Sequence, residues 1–142
     1  MLPIQSVLGK LEIFEIYEFF NMPVLFACKN RAGHIYLAVW IDETDEDDVW
    51  LYVPLSERRF QQVRLGEIDL HDAFTQPEDE IVLKVGVVRD AENQAEIEAI
   101  PTLEMDTSWA PLPNEFLDIP DSLPRVAWGG VDQRDLEKIQ KP

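Results

Sequence analysis

HIYLAVWIDETDEDDVWLYVP, His34 to Pro54, is the stretch on which the fold turns. Two apolar runs flank a polar centre, and each alternates with the two-residue period of a strand. Ile35, Leu37, Val39 and Ile41 share one face, as do Val49, Leu51 and Val53. The other face carries Tyr36, Ala38, Trp40, Trp50 and Tyr52. A simple hairpin register then sets Trp40 opposite Trp50 and Val39 opposite Leu51. Each aromatic cross-strand pair of this kind stabilises a sheet by roughly 0.2–1 kcal/mol. Both faces are apolar, so both require cover.

The centre, IDETDEDDVW, packs six carboxylates between the two runs: Asp42, Glu43, Asp45, Glu46, Asp47 and Asp48. A calcium loop of the EF-hand type needs glycine at its sixth position and glutamate at its twelfth. Counted from Asp42, those positions hold Asp47 and Val53; counted from Asp45, they hold Trp50 and Ser56. Neither frame fits. The patch reads as a solvated hairpin tip whose repulsion discourages edge-to-edge pairing. It is also the patch that a basic partner would meet first.

Upstream, KLEIFEIYEFF (Lys10 to Phe20) reads as a strand by its aromatic and β-branched content. Alternation sets Leu11, Ile13, Tyr17 and Phe19 on one face, with Glu15 as the exception. Asn21 to Pro23 breaks the run, VLFACK (Val24 to Lys29) returns, and NRAG (Asn30 to Gly33) turns into the central hairpin.

Downstream of Pro54, Ser56 can cap a helix that sends Phe60, Val63 and Leu65 to the core and ends at Gly66. Asp69 can cap a second, LHDAF, with Leu70 and Phe74 one turn apart. Arg58, Arg59 and Arg64 form the densest basic cluster. It reads either as a helix face balancing nearby carboxylates or as a docking face or anion site. Glu80 to Asp90 is a strand by its valines, Asp90 to Asn93 a turn, and Gln94 to Pro101 its return.

From Pro101 onward the composition shifts, for six of the ten prolines lie there. Proline lacks an amide donor, which disfavours central strands and long helices. Trp109, Phe116 and Trp128 make the segment too apolar for a free linker. The reading is an extended arm, 101–142, packed on the domain or on a partner, with a short terminal helix over Val131 to Gln140.

The phrases YEFFNMPVLFACKN, HIYLAVWIDE, VWLYVPLSERR and LGEIDLHDAF, in that order, resemble DUF6575, a small bacterial domain family of unknown function. The resemblance covers about Leu11 to Leu83. It implies no assigned activity, so no catalytic role transfers.

Charge and length bound the rest. The chain has 142 residues, enough for one domain with a real core, and a net charge of −16. That charge argues against direct nucleic-acid binding and against anionic membranes, while a basic protein partner would be steered inward. Cys28 is the sole cysteine, so the chain can form neither an internal disulfide nor a thiolate cluster. The N-terminus lacks the pattern of a signal peptide, which makes the cytoplasm the expected setting.

No phosphate loop and no nucleophile or zinc motif is present, so the sequence names no catalytic residue, cofactor or metal. Cys28 lies in an apolar strand, His34 at a strand start and His71 on a short helix. Three functional readings follow. The preferred one is a non-catalytic interaction or regulatory module, contacting its partner through Arg58, Arg59, Arg64, Trp109, Phe116 and Trp128. The same arm could join copies of the chain. The second is an acidic inhibitor that mimics nucleic acid in a basic cleft. The third is a small enzyme with a dispersed site. The expected architecture is α+β: residues 1–100 as one domain, an antiparallel meander in a strongly curved sheet or partial barrel, with one or two short helices and the proline-rich arm.

Overall fold

The computed structural model describes Leu2 and residues 8–89 and 91–118, without the side chains of 91–94. Trp128 and the helix expected over 131–140 lie outside the described residues.

The central hairpin forms as its alternation requires. Strands β3 (Ile35–Glu43) and β4 (Asp47–Leu55) pair antiparallel, with Trp40 opposite Trp50 and Val39 opposite Leu51. Around them lie β1 (Leu11–Phe19), β2 (Pro23–Asn30), β5 (Ile81–Val88) and β6 (Ala91–Pro101). The sheet has six strands in sequence order, each antiparallel to its neighbours. β6 starts at Ala91, so most of the expected turn there belongs to the strand.

The sheet is open, neither closed nor strongly curled, which corrects the barrel expectation. The premise, that both faces need cover, was sound; the cover comes from other elements. Between β4 and β5 the chain leaves the sheet to build α1 (Glu57–Arg64) and α2 (Leu70–Thr75). Phe60, Val63, Leu70, Ala73 and Phe74 pack there with Leu25, Ala27, Leu37, Leu51 and Val53. On the far face Leu2 and Leu8 join Phe26, Tyr36, Trp50, Tyr52 and Val85. Phe26 and Tyr52 meet edge-on at 6.1 Å, the geometry aromatic quadrupoles favour.

Both helices start on side-chain caps. Ser56 Oγ accepts from the Arg59 amide at 3.1 Å. Glu78, arriving just before β5, accepts from the Ser56 amide and hydroxyl at 2.9 Å each. A distant carboxylate thus does what a glutamate three residues along does in a capping box. α1 ends at Leu65, and Gly66 follows with φ +75°, the left-handed turn that glycine takes without strain. Ending there turns Leu65 outward, 72% exposed, against the expectation that it joins the core.

Strand β1 departs from plain alternation. Ile13 pairs with Cys28 and Glu15 with Ala27, so Phe14 is an extra residue in the ladder. This bulge moves Glu15 and Tyr17 to the helix face and leaves Leu11 and Ile13 on the far face. Glu15, the apparent exception, is thereby placed under α1. Arg64 grips it with two bonds, Nε to Oε1 at 2.8 Å and Nη2 to Oε2 at 2.9 Å. The Tyr17 hydroxyl donates to Oε1 at 2.8 Å. Burial, then the Glu15 charge, pushes the Tyr17 phenol up and keeps it a donor.

Candidate functional site

The acidic tip is a turn organised by a cation from the chain itself. A bulge at Ile41 leads into it, and Thr44 closes it, its Oγ1 accepting from the Asp47 amide at 2.9 Å. Arg89, just beyond β5, lies against the turn because Val88 pairs with Asp47. Its guanidinium takes Asp48 with two nitrogens at 3.2 Å each. It also donates to the Thr44, Asp45 and Asp47 carbonyls at 2.8, 3.1 and 3.1 Å, and its amide donates to Glu46 O at 2.9 Å. Carbonyl and carboxylate oxygens that could crowd a metal ion instead surround a guanidinium. Among the described residues no group of three or more His, Cys, Asp and Glu is arranged to hold a metal. Asp42, Glu43, Asp45 and Glu46 stay exposed.

Removing this clamp should loosen the tip and little else. Arg89→Gln is expected to speed hydrogen exchange at the Thr44 and Asp47 amides while the global urea midpoint barely moves. Unchanged exchange at both amides would show that the turn holds without the guanidinium.

The three helix arginines diverge. Arg64 is bound to Glu15. Arg59 Nη2 donates to the Asp72 and Gln76 carbonyls, tying α1 to the end of α2. Arg58 is exposed. They do not form one continuous face: two of the three are occupied in holding the helices to each other and to the sheet.

The arm, as far as residue 118, returns to its own domain. Met105 and Ala110 are buried in the helix-face core, and Trp109 and Leu117 pack against it. Lys84 Nζ lies 5.2 Å from the Trp109 ring centre. The arm is then tied to the start of α2. Asp69 caps the helix with Oδ1, accepting from the Asp72 amide at 2.8 Å, and holds the Asn114 amide with Oδ2 at 2.9 Å. The Leu70 amide donates to Glu115 O at 2.7 Å. His71 Nδ1 lies 2.9 Å from Pro111 O, so that nitrogen carries the proton. On this junction Phe116 lies against Gly66, beside Leu65. Leu112 opens the short turn that closes on the Glu115 amide. Leu65 is 72% exposed, Leu112 70% and Phe116 50%, although all three are large and apolar.

Sequence reasoning singled out Phe116 and counted Leu112 among the apolar residues of the arm, but placed Leu65 in the core and did not see the anchoring role of Asp69. The Asp69 cap was legible; that one carboxylate serves both helix and arm was not, because residue 114 is distant in sequence.

The two bonds hold the Asp69 carboxyl below its usual range, the Asp72 amide first and the Asn114 amide second. A depressed carboxyl contributes stability above its unfolded value, about pH 4, and loses it as pH falls through the lower folded value. Junction stability should therefore fall on acidification below about pH 4. Asp69→Ala is expected to cost about 0.5–2 kcal/mol through the lost cap, and to expose the arm to proteolysis near Pro111. An intact arm in that variant would show that the carboxylate does not anchor it.

Cys28 is fully buried on the far face, where burial pushes its thiol up and leaves it an unreactive packing group. Neither histidine is bonded to it: His34 Nδ1 lies 3.2 Å from Asn30 Nδ2, and His71 is held by Pro111. His34 instead lines an open cleft of about 380 Å³ with Tyr36, Ser56, Glu78 and Asp79. The Ser56 hydroxyl and the Glu78 carboxylate meet in this cleft, but both are engaged in the α1 cap.

Fold and surfaces together define an α+β protein: one open antiparallel sheet, helices on one face, and an arm tied over the helices. The chain belongs to DUF6575, a family of unknown function, whose family model matches residues 1–121. The match is wider than the phrases at 11–83 indicate and takes in both the acidic tip and the described arm. No curated protein and no solved structure matches the chain. Among the described residues no helix is long and apolar enough to cross a membrane.

Proposed function

We propose that this chain is a non-catalytic protein-interaction module that offers the junction of arm and helices to an apolar groove on a partner. The observation that carries the reading is the exposure of Leu65 and of Phe116, which lies against Gly66, with Leu112 in the turn just before it, on segments fixed by the bonds to Asp69, Leu70 and His71. Single exposed apolar side chains are ordinary, but several on one ordered surface mark a contact site. Rigid anchoring also lowers the entropy cost of docking. A cytoplasmic setting belongs to the proposal, supported by a lone cysteine that needs no oxidising compartment.

The test is affinity capture of the tagged full chain from its own host, at low and high salt, beside the variant Leu65→Ser/Phe116→Ser. A partner that survives high salt and is lost with the variant supports the module. A partner retained equally by the variant overturns this surface. A basic partner bound only at low salt would move the function to the acidic tip, as in a nucleic-acid mimic. Size-exclusion chromatography of the same pair reports whether the partner is a second copy of the chain.

A further inference from the structure

A recess of about 250 Å³ opens where the start of β1, the end of β2 and the β2–β3 turn meet. Lys10, Lys29 and Arg31 line it, with Glu12, Asn30 and Gly33. The chain carries 28 acidic residues against 12 basic ones, so a cation finds a carboxylate easily. Arg64 pairs with Glu15, and Arg89 with Glu43 and Asp48. Among the described residues none of the three recess cations forms an ion pair. Lys29 Nζ rests 5.4 Å from the Phe14 ring centre, and Glu12, its register partner, closes no salt bridge with it. Arg58, Arg59 and Lys84 also form no ion pair among the described residues, so what sets the recess apart is that three cations line one small volume.

The wall behind them is ordered. Asn30 accepts from the His34 amide at 3.0 Å and donates to Leu8 O at 2.9 Å. The Gly33 amide closes the turn on Asn30 O at 3.0 Å. Gly33, at φ +88°, has open space where a side chain would stand. At physiological salt charges act over about 8 Å, so the lining groups, three cations and the Glu12 carboxylate, set the potential inside. A small volume lined by one guanidinium-bearing and two ammonium-bearing side chains suits a compact oxyanion, which takes charge-assisted bonds from such groups. The volume lies below the roughly 300–1,000 Å³ of pockets for drug-sized molecules, so a phosphoryl group with a small attached portion fits.

We propose that this recess binds the phosphate group of a small phosphorylated ligand through Lys10, Lys29 and Arg31. The site is separate from the arm junction, and its test does not depend on that reading. The full chain, labelled with nitrogen-15, is titrated at constant ionic strength with inorganic phosphate, with a nucleoside 5′-monophosphate and with chloride, following the Arg31, Ala32 and Gly33 amides. Saturable shifts with the phosphates but not with chloride are expected. A tighter midpoint for the nucleotide assigns part of the recognition to its organic portion, and equal midpoints assign it to phosphate alone; both support the site. Lys10→Gln/Arg31→Gln should weaken binding at least about tenfold, since each cation supplies charge-assisted bonds to the phosphate oxygens. Glu12→Gln removes the one carboxylate in the lining and should tighten it. Both substitutions alter only side chains outside the core, so an unchanged circular dichroism spectrum confirms folding. Linear shifts shared with chloride, or a midpoint indifferent to the double variant, would overturn the proposal.

Discussion

Trp50→Ala and Leu51→Ala are expected to cost about 3–5 and about 2–5 kcal/mol respectively, although the two residues are adjacent and point in opposite directions. Each is fully buried. Trp50 stands on the far face between Trp40 and Val85; Leu51 stands on the helix face between Val39 and Lys84. In a sheet with one wet face, one of two successive positions tolerates alanine. Here both should fail, because β4 is central and both its faces are packed. Either loss is a large part of the roughly 5–15 kcal/mol by which a domain is stable. Urea unfolding of the two variants decides it. A Trp50→Ala midpoint near that of the parent chain would mean that the far face does not contribute as a core.

The second large effect concerns Glu15 and Arg64. Arg64→Met keeps the stem over Phe60 but leaves a carboxylate, 8% exposed, without the guanidinium that grips it. Removing one partner of a buried pair costs about 3–5 kcal/mol, because the remaining carboxylate stays desolvated and loses two charge-assisted bonds. Glu15→Gln/Arg64→Met should recover part of that loss. Glutamine carries no charge and still accepts from Tyr17, so the buried charge is removed together with its guanidinium partner. Single variants within about 0.5 kcal/mol of the parent, the behaviour of an exposed pair, would refute the assignment. The physical content is that this bond joins residues 49 apart and pins α1 to the edge strand.

Much of this architecture was legible because it follows from short-range periodicity. The Trp40–Trp50 register, the faces of β3 and β4, and the Ser56 and Asp69 caps all rest on spacings within a few residues, where strand and helix geometry leave little choice. The failures also have particular causes. Glu15 broke the pattern of β1 because a bulge inserts one residue, and a period of two cannot report a bulge. Leu65 was assigned to the core by helical spacing, yet the helix had ended there. Barrel closure was inferred from two apolar faces, whereas the helices cover one face and Leu2 and Leu8 pack on the other.

The candidate surfaces were legible only as lists of residue types. The arginines at 58, 59 and 64 read as one cluster, but Arg64 turns to β1 and Arg59 to α2. Arg89 drew no notice, and only the pairing of β4 with β5 brings it to the acidic tip. The arm's prolines and aromatics suggested packing on the domain or on a partner; that residues up to 118 return to α2, leaving Leu65, Leu112 and Phe116 exposed, the sequence did not indicate. By itself the sequence determined a two-faced antiparallel meander, two capped helices and a strongly acidic surface, since these depend on local spacing and on composition. The tertiary structure alone decided which charges meet, which apolar groups stay exposed and where unpaired cations gather. Those outcomes rest on contacts between residues tens of positions apart, whose distances no local period encodes.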